Sequence, residues 1–389
     1  MPEARGIAML GCRNSVPKGR PSGFCAGWVF LATCLAILGA LPGTGLARTA
    51  DETPLPPPPA PRPAKRPTPQ PTTTPPLAKP APAATSPTAA SVAAARADRL
   101  ARMSAVRSWG YQLNGLKVED AARSPYDLLV VDATTGLAAD RPFRPDEVTS
   151  LKTKPDGSKR LVVSYLSIGE AEDYRPDYFS TEYMTEDAPD WLLHENPQWK
   201  GNRIIRFCTE GWQKTILGDD NGLNIYNSIE LSPLYRLIEL GLDGVYLDRV
   251  DVYSEVKKEC PDAEAKMVEF VARLAAHARK KNPGFMVILQ NAEELLAHKT
   301  MIDAIDAVAK EDLFYGVDYS QGANSVEAVR SSIANLKRAR AAGRPVFVVD
   351  YVKDRGKISD AKKKIESQGF IPYIGPRDLG ALWLPGVNF

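Results

Sequence analysis

Five short apolar runs in this chain each end in a carboxylate or an amide, and this repetition constrains the fold more than any other feature. The runs are 128–131 before Asp132, 161–168 before Glu170, 245–247 before Asp248, 286–289 before Gln290 and Asn291, and 346–349 before Asp350. Continuous apolar runs of this length are typical of parallel strands that are covered by helices on both faces. In barrels of such strands, the catalytic groups lie at the C-terminal strand ends. The pattern therefore predicts an acid/base enzyme.

Helical patterns alternate with eight candidate strands. The strands are predicted at 111–113, 127–132, 160–168, 203–207, 243–248, 285–290, 304–310 and 345–350, and the clearest helices at 229–240, 263–281, 325–342 and 357–368. This alternation predicts the α/β class and a (β/α)₈ TIM barrel. An open doubly wound sheet is the alternative, but no Gly-rich fingerprint follows a strand. A further apolar piece, 370–374, is expected to cover one rim.

Residues 1–47 have the composition of an export signal. Four basic residues precede an apolar stretch from 24 to 41, and the small residues Gly45 and Ala47 follow as a cleavage site. An uncleaved membrane anchor is the alternative, because the stretch nears the ~20 residues that span a bilayer. We therefore expect an exported protein, located in the periplasm, at the cell surface or outside the cell.

Residues 48–97 are predicted to form a disordered, proline-rich tether. Fifteen of the chain's 33 prolines fall within 51–90, mixed with Ala and Thr, a composition that cannot bury a core. In the polyproline form this stretch would extend about 120 Å, as a spacer between a membrane or wall and the domain. A short helix at 93–106 is expected to lead into a catalytic domain that spans 98–389.

The charge balance and several missing motifs narrow the chemistry. The predicted domain carries 39 basic and 44 acidic residues, a net charge of −5, which argues against nucleic acid as a partner and suits a cationic substrate. The sequence has three histidines and no P-loop, His-Glu-x-x-His, Cys-x-x-Cys pair or Gly-x-Ser-x-Gly elbow. Paired carboxylates remain, and glycoside hydrolysis requires one that donates a proton and one that stays ionised.

The segment 241–251 contains the sharpest candidate for such a carboxylate. Asp248 is placed at the mouth end of the fifth predicted strand, with Asp251 in the loop beyond it. A helix cap or a salt bridge to Arg249 is the structural alternative for Asp248, and a loop cap is the alternative for Asp251.

Other candidates surround the same predicted mouth. Glu311 ends the seventh strand, and Glu170 lies in an acidic segment with tyrosines that suits sugar hydroxyls or ammonium groups, a solvated acidic loop being the alternative. The remaining predicted substrate contacts are Trp109, Tyr111, Asp132, Tyr165, Gln290, Asn291 and Asp350. For Trp109 and Tyr111, burial in the core is the alternative to a sugar-stacking face.

Two cysteines, Cys208 and Cys260, lie outside the leader. In an exported protein such a pair indicates a disulfide, and two unrelated small core residues are the alternative.

Several motifs taken together resemble a known family. They are WGYQL at 109–113, YDLLVVD at 126–132, YLSIGE at 165–170, DGVYLD at 243–248, QN at 290–291 and ED at 311–312. In this order they resemble glycoside hydrolase family 114, the endo-α-1,4-polygalactosaminidases, over about 109 to 375. The resemblance implies a (β/α)₈ barrel that hydrolyses α-1,4-linked galactosamine polymers without a metal cofactor. It also implies that Asp248 and Glu311 are the catalytic pair, since they match the family's Asp and its later Glu.

We therefore expect an exported, endo-acting glycoside hydrolase that is a monomer and acts on a cationic amino-sugar polysaccharide. Two alternatives stay open at this point. One is a hydrolase of a different glycan, and the other is a non-catalytic carbohydrate-binding or assembly protein on the same barrel.

Overall fold

The computed structural model describes residues 88–133, 141–172, 188–224 and 231–386. The leader at 1–47 and residues 48–87 of the predicted tether lie outside the described residues, as do Asp173 and Tyr174 of the acidic segment. No helix within the described ranges is long and apolar enough to cross a membrane.

Strands and helices alternate along the described chain. The strands are β1 Trp109–Gln112, β2 Leu128–Val131, β3 Leu161–Ser167, β4 Glu170–Glu172, β5 Leu192–Glu195, β6 Asn202–Ile205, β7 Gly244–Asp248, β8 Met286–Gln290, β9 Ala307–Glu311, β10 Val346–Asp350 and β11 Ile371–Ile374. The helices are α1 Ala89–Ser104, α2 Val118–Ala122, α3 Pro145–Leu151, α4 Glu210–Leu217, α5 Pro233–Glu239, α6 Ala263–Lys281, α7 Lys299–Ala304, α8 Val326–Ala341 and α9 Arg355–Ser367.

Eight of these strands form a parallel sheet in the order β1-β2-β3-β7-β8-β9-β10-β11. The first and last strands lie side by side, and the Trp109 indole N–H donates a 3.0 Å hydrogen bond to the carbonyl of Ile371, which makes the barrel nearly closed. Every residue of β2, β3, β8 and β10 is buried, as expected for strands with a packed interior on one face and helices on the other. The predicted (β/α)₈ TIM barrel is confirmed.

Two strand assignments from the sequence are wrong. The run 203–207 was predicted as the fourth barrel strand, but β6 pairs antiparallel with β4 and β5 in a separate three-stranded sheet, and β3 pairs directly with β7. The eighth barrel strand is β11, which the sequence indicated only as a rim cover. Pro372 in β11 has no backbone N–H and weakens the strand signal, and an isolated apolar run does not indicate which strand it pairs with.

Helix α1 lies against the N-terminal ends of the strands. Thr88 caps it, so the helix begins at Ala89, inside the range predicted as tether. Arg99 forms a buried ion pair with Asp306 just before β9, and Arg102 pairs with Asp243 just before β7. Asp243 also accepts the backbone N–H of Val162 at 2.9 Å, which gives it a structural role at the end of the barrel far from the mouth. The helix is therefore part of the folded domain.

A disulfide joins Cys208, which follows β6, to Cys260, just before α6. The two Cα atoms lie 6.0 Å apart and the cysteines are 52 residues apart in sequence. The bridge thus ties the segment that carries the three-stranded sheet to the loop that follows the strand of Asp248.

Candidate active site

Asp248 and Glu311 lie at the C-terminal ends of β7 and β9, and both side chains are partly exposed at the barrel mouth. Only β8 separates the two strands. Neighbouring strands are about 4.8 Å apart, so the two backbones are separated by roughly 10 Å. Carboxylates that flank a glycosidic bond are about 5 to 9.5 Å apart, and side chains projecting from these two positions can cover that range.

Asp248 is bound by a tyrosine from the neighbouring strand. The Tyr165 hydroxyl on β3 donates a 2.7 Å hydrogen bond to Oδ2 of Asp248. This contact follows from the register, because Ser167 pairs with Asp248 and Tyr165 lies two residues earlier on the same face. Burial, and next the charge of Glu311, raises the pKa of Asp248 to about 7, while the Tyr165 hydrogen bond opposes that shift.

Glu311 is held by three neighbours. Tyr351, just after β10, donates its hydroxyl to Oε1 of Glu311, and the Gln290 amide also bonds the carboxylate. Its backbone N–H donates to Oδ1 of Asn291 at 3.1 Å. Burial raises the pKa of Glu311, and the hydrogen bonds from Tyr351 and Gln290 oppose the shift.

The two carboxyl groups form a coupled pair. The negative charge of Glu311 makes ionisation of Asp248 harder, so near neutral pH the pair holds a proton more readily than two isolated carboxylates would. Such a pair can present one protonated and one ionised carboxyl group at the same time. That is the chemical requirement of glycoside hydrolysis.

A tyrosine layer lies one step deeper in the barrel. The rings of Tyr111 and Tyr246 are 5.0 Å apart, and the charges of Glu311 and Asp248 add to the burial that raises the pKa of both phenols. Trp109 is 0% exposed and packs against Tyr111, Phe347 and Tyr373. Trp109 and Tyr111 therefore belong to the interior, which favours the alternative of core burial over a sugar-stacking face.

Glu170 is buried rather than open to the mouth. Its side chain is 1% exposed and forms a 2.7 Å ion pair with Nε of Arg249. The side-chain amides of Asn196 and Asn202 donate to its two oxygens at 2.7 and 2.8 Å. Glu170 thus anchors the three-stranded sheet to Arg249, the residue next to Asp248, which favours a structural role over the predicted substrate contact.

The backbone around Arg249 explains a glycine of the YLSIGE motif. Arg249 has a left-handed φ of 56°, which brings its carbonyl oxygen to within 2.1 Å of where a Cβ on Gly169 would lie. A side chain at position 169 would force the two strand ends apart.

The other predicted residues are spread around this mouth. Asp132 is buried at the end of β2, close enough for its charge to raise the pKa of Tyr111. Asp251 is partly exposed and pairs with Arg249 at 3.4 Å. Asp350 is fully buried and accepts the backbone N–H of Phe314, so it positions the loop after β9 rather than a substrate.

Sequence reasoning missed two residues beside Glu311. Tyr351 directly follows Asp350, so the rule of strand-end residues could have indicated it. Arg377 forms a double hydrogen bond with Asp312 and lies over the ring of Tyr351 at 4.7 Å. No motif marks Arg377, because it belongs to the segment after β11, which was not recognised as a barrel strand.

Within the described ranges, no group of three or more His, Cys, Asp or Glu side chains is arranged to hold a metal ion.

Comparisons with known proteins agree with this geometry. The model of glycoside-hydrolase family GH114 matches residues 88–385. An uncharacterized protein of Deinococcus radiodurans is 33% identical over 287 residues, covering 72% of this chain and 84% of the relative. One of Methanocaldococcus jannaschii is 30% identical over 300 residues, covering 72% and 80%. The glycoside hydrolase domain of PelA from Pseudomonas aeruginosa shares the fold, with a TM-score of 0.53 at 17% identity over 71% of this chain and 97% of that domain.

Proposed function

The chain belongs to glycoside-hydrolase family GH114, and we propose that it is an exported, endo-acting enzyme that cleaves α-1,4-linked galactosamine polymers with Asp248 and Glu311. Membership in the family makes it a glycoside hydrolase; the substrate, the export and the catalytic pair are the proposed parts. The observation that carries the pair is its position: Asp248 and Glu311 end two strands of one barrel mouth that only β8 separates, and the charge of Glu311 raises the pKa of Asp248.

In this proposal Glu311 is the general acid and Asp248 is the nucleophile or base. When Glu311 carries the proton, its charge no longer raises the pKa of Asp248, and the hydrogen bond from Tyr165 favours the ionised form. The proton of Glu311 goes to the glycosidic oxygen as the bond to the anomeric carbon breaks. Asp248 either attacks that carbon or takes a proton from the water that does.

The charge around the mouth supports an amino-sugar polymer as the substrate. The charge of Asp251 acts on Asp248, Glu172 lies 3.2 Å from the Tyr165 hydroxyl that binds Asp248, and Asp132 acts on Tyr111 below the pair. The predicted domain has a net charge of −5. A field of this sign attracts the ammonium groups of a partly deacetylated polymer.

The disulfide supports export. Structural disulfides persist in oxidising compartments such as the periplasm and the cell exterior, and Cys208–Cys260 lies within the barrel domain. A periplasmic or surface enzyme on a proline-rich tether agrees with an export signal at 1–47 and with a polysaccharide substrate.

The test is reducing-end release from partly deacetylated α-1,4-galactosaminan by the purified protein. We expect turnover by the wild type and a loss of about a hundredfold or more in both Asp248→Asn and Glu311→Gln. The exposed residues Asp120 and Glu269 provide matched controls, and Asp120→Asn and Glu269→Gln should keep full activity.

Two other results would redirect the proposal. Release from a different glycan, but not from galactosaminan, would keep the catalytic pair and change the substrate. Polymer binding without turnover on any glycan, unchanged in Asp248→Asn, would favour a carbohydrate-binding protein.

A further inference from the structure

Two exposed aromatic rings lie on loops that extend from the mouth end of the barrel. Trp199, in the turn between β5 and β6, is 51% exposed, and Tyr319, in the loop between β9 and α8, is 54% exposed. Among the described residues, the other large apolar side chains that are this exposed are three valines. Tyr and Trp are enriched at interfaces, because each combines a large apolar ring with a polar group.

The two loops meet although they come from separate parts of the barrel. The Tyr319 hydroxyl donates a 3.1 Å hydrogen bond to Oε1 of Gln198, the neighbour of Trp199. The β5–β6 turn belongs to the sheet that continues from β3, and β3 and β9 are three positions apart in the barrel order. The strand of Asp248 lies between them, so the contact joins two loops that flank this strand.

Tyr319 is held in a backbone conformation that a bulky residue rarely adopts. Its φ is 63°, in the left-handed region, and the neighbouring Asp318 accepts the N–H of Ser320 to close the turn. Arg377 lies over the Tyr319 ring at 5.2 Å. Such strain persists only where surrounding contacts fix it, and it concentrates at functional sites.

Each aromatic residue is connected by direct contacts to one of the two carboxylates. On one side, Arg377 lies against both Tyr319 and Tyr351, and Tyr351 bonds Glu311.

On the other side, Asn196 and Asn202 flank the turn of Trp199 and bind Glu170, which pairs with Arg249 beside Asp248. The loops that carry the two rings are therefore connected by contacts to the residues beside both carboxylates.

We infer that Trp199 and Tyr319 form an aromatic subsite that binds amino-sugar units of the polymer next to the Asp248–Glu311 pair. This inference rests on the proposed function. The apolar face of a hexosamine ring can pack on an aromatic ring, and its ammonium group is attracted to the ring face. The subsite binds units that are not cleaved, so it strengthens binding of long chains without changing the chemistry.

The test compares kcat and KM for partly deacetylated α-1,4-galactosaminan. Trp199→Ala and Tyr319→Ala should each raise KM about tenfold and leave kcat within about twofold, because the subsite contributes binding in the ground state and the transition state alike. Tyr319→Phe keeps the ring and loses the hydrogen bond to Gln198, so its KM should lie between those of the wild type and Tyr319→Ala. Val326→Ala changes an exposed apolar residue on α8 as a control.

Binding by the Asp248→Asn protein, measured by tryptophan fluorescence, provides a readout independent of turnover. Adding Trp199→Ala or Tyr319→Ala to that protein should weaken its binding of the polymer about tenfold. Unchanged KM and unchanged binding in both alanine variants of an active enzyme would overturn the subsite and leave the proposed function intact. A wild type that neither cleaves nor binds the polymer would overturn both.

Discussion

The hydroxyl of Tyr165 donates a 2.7 Å hydrogen bond to Asp248 and also lies 3.2 Å from Oε1 of Glu172. A phenol carries one proton, so it cannot be donated to both carboxylates at once. Burial and the charge of Glu311 raise the pKa of Asp248, whereas this bond lowers it. Tyr165 therefore controls how readily Asp248 ionises.

Replacing Tyr165 by Phe should make Asp248 a weaker acid. The variant keeps the ring and loses the donor, so the ionised form of Asp248 is less stabilised. We expect the acidic limb of the kcat/KM profile to move upward by about one pH unit. At pH 6 the loss in kcat/KM should be about tenfold, and it should shrink above pH 8 because Asp248 is then ionised in both proteins.

A second tyrosine–carboxylate pair provides the control. Tyr315 bonds Asp360 on α9, away from the mouth, and Tyr315→Phe should leave the pH profile unchanged. A loss in Tyr165→Phe that is the same at every pH would contradict a role in setting the ionisation of Asp248.

The separate roles of Glu311 and Asp248 can be tested with the leaving group. A galactosamine oligomer with a dinitrophenyl aglycone needs no proton on its leaving oxygen. Glu311→Gln should therefore stay within about tenfold of the wild type on this substrate, although it loses about a hundredfold or more on the polymer. Asp248→Asn should lose about a hundredfold on both. Retention of aglycone release in Asp248→Asn, with loss in Glu311→Gln, would exchange the two roles.

The barrel could be predicted from the sequence because its strands are strongly apolar. Seven of the eight barrel strands overlap predicted runs, and α6 has the predicted bounds. The eighth barrel strand was missed because β11 contains Pro372 and has two half-buried positions. The three-stranded sheet was missed because β4 pairs with β6, a strand much later in the sequence. The pattern of apolar residues does not indicate which distant strands pair.

The site could be predicted only in part. The strand-end rule indicated Asp248, Glu311 and Gln290, which the structure brings to one mouth. The rule does not separate a carboxylate that faces the mouth from one that is buried against a loop. Glu170 and Asp350 satisfy the same pattern, yet an arginine binds one and a backbone N–H binds the other.

Asp350 should make the protein less stable as pH rises. Burial raises its pKa to about 7, above that of an unfolded aspartate. The folded protein therefore binds more protons than the unfolded chain between about pH 4 and 7, and the stability that protonated Asp350 contributes is lost across that interval.

Asp350→Asn removes this pH dependence because the amide stays neutral and retains an oxygen that can accept the Phe314 N–H. We expect it to raise Tm by several degrees at pH 8.5 and to change Tm little at pH 4. The pKa difference between folded and unfolded Asp350 sets an upper limit of about 4 kcal/mol on the gain in unfolding free energy at pH 8.5. Thermal melts at both pH values measure the difference, with exposed Asp120→Asn as the control. A lower Tm at pH 8.5 would show that the ionised carboxylate is needed to hold the loop.

Two arginines on α1 test whether this helix belongs to the barrel domain. Arg99 and Asp306 are both buried in their ion pair, and Arg99 also donates to the carbonyl of Pro283 at 2.6 Å. Arg96 and Asp303 form a pair of similar distance that is 44% and 40% exposed. The two pairs therefore share a helix and differ mainly in burial.

Without Arg99, Asp306 keeps its 2.8 Å ion pair with Arg279 but loses the more buried of its two cations, whereas an exposed pair is screened by water. We expect Arg99→Ala to lower the free energy of unfolding by about 3 kcal/mol and Arg96→Ala by less than about 1 kcal/mol, measured by urea denaturation at constant pH. Equal and small effects would mean that α1 contributes little to the barrel. A large effect confined to Arg99 would show that α1 stabilises the barrel. A shortened protein should then begin at or before Thr88, because one that begins at Asp98 lacks more than half of the helix.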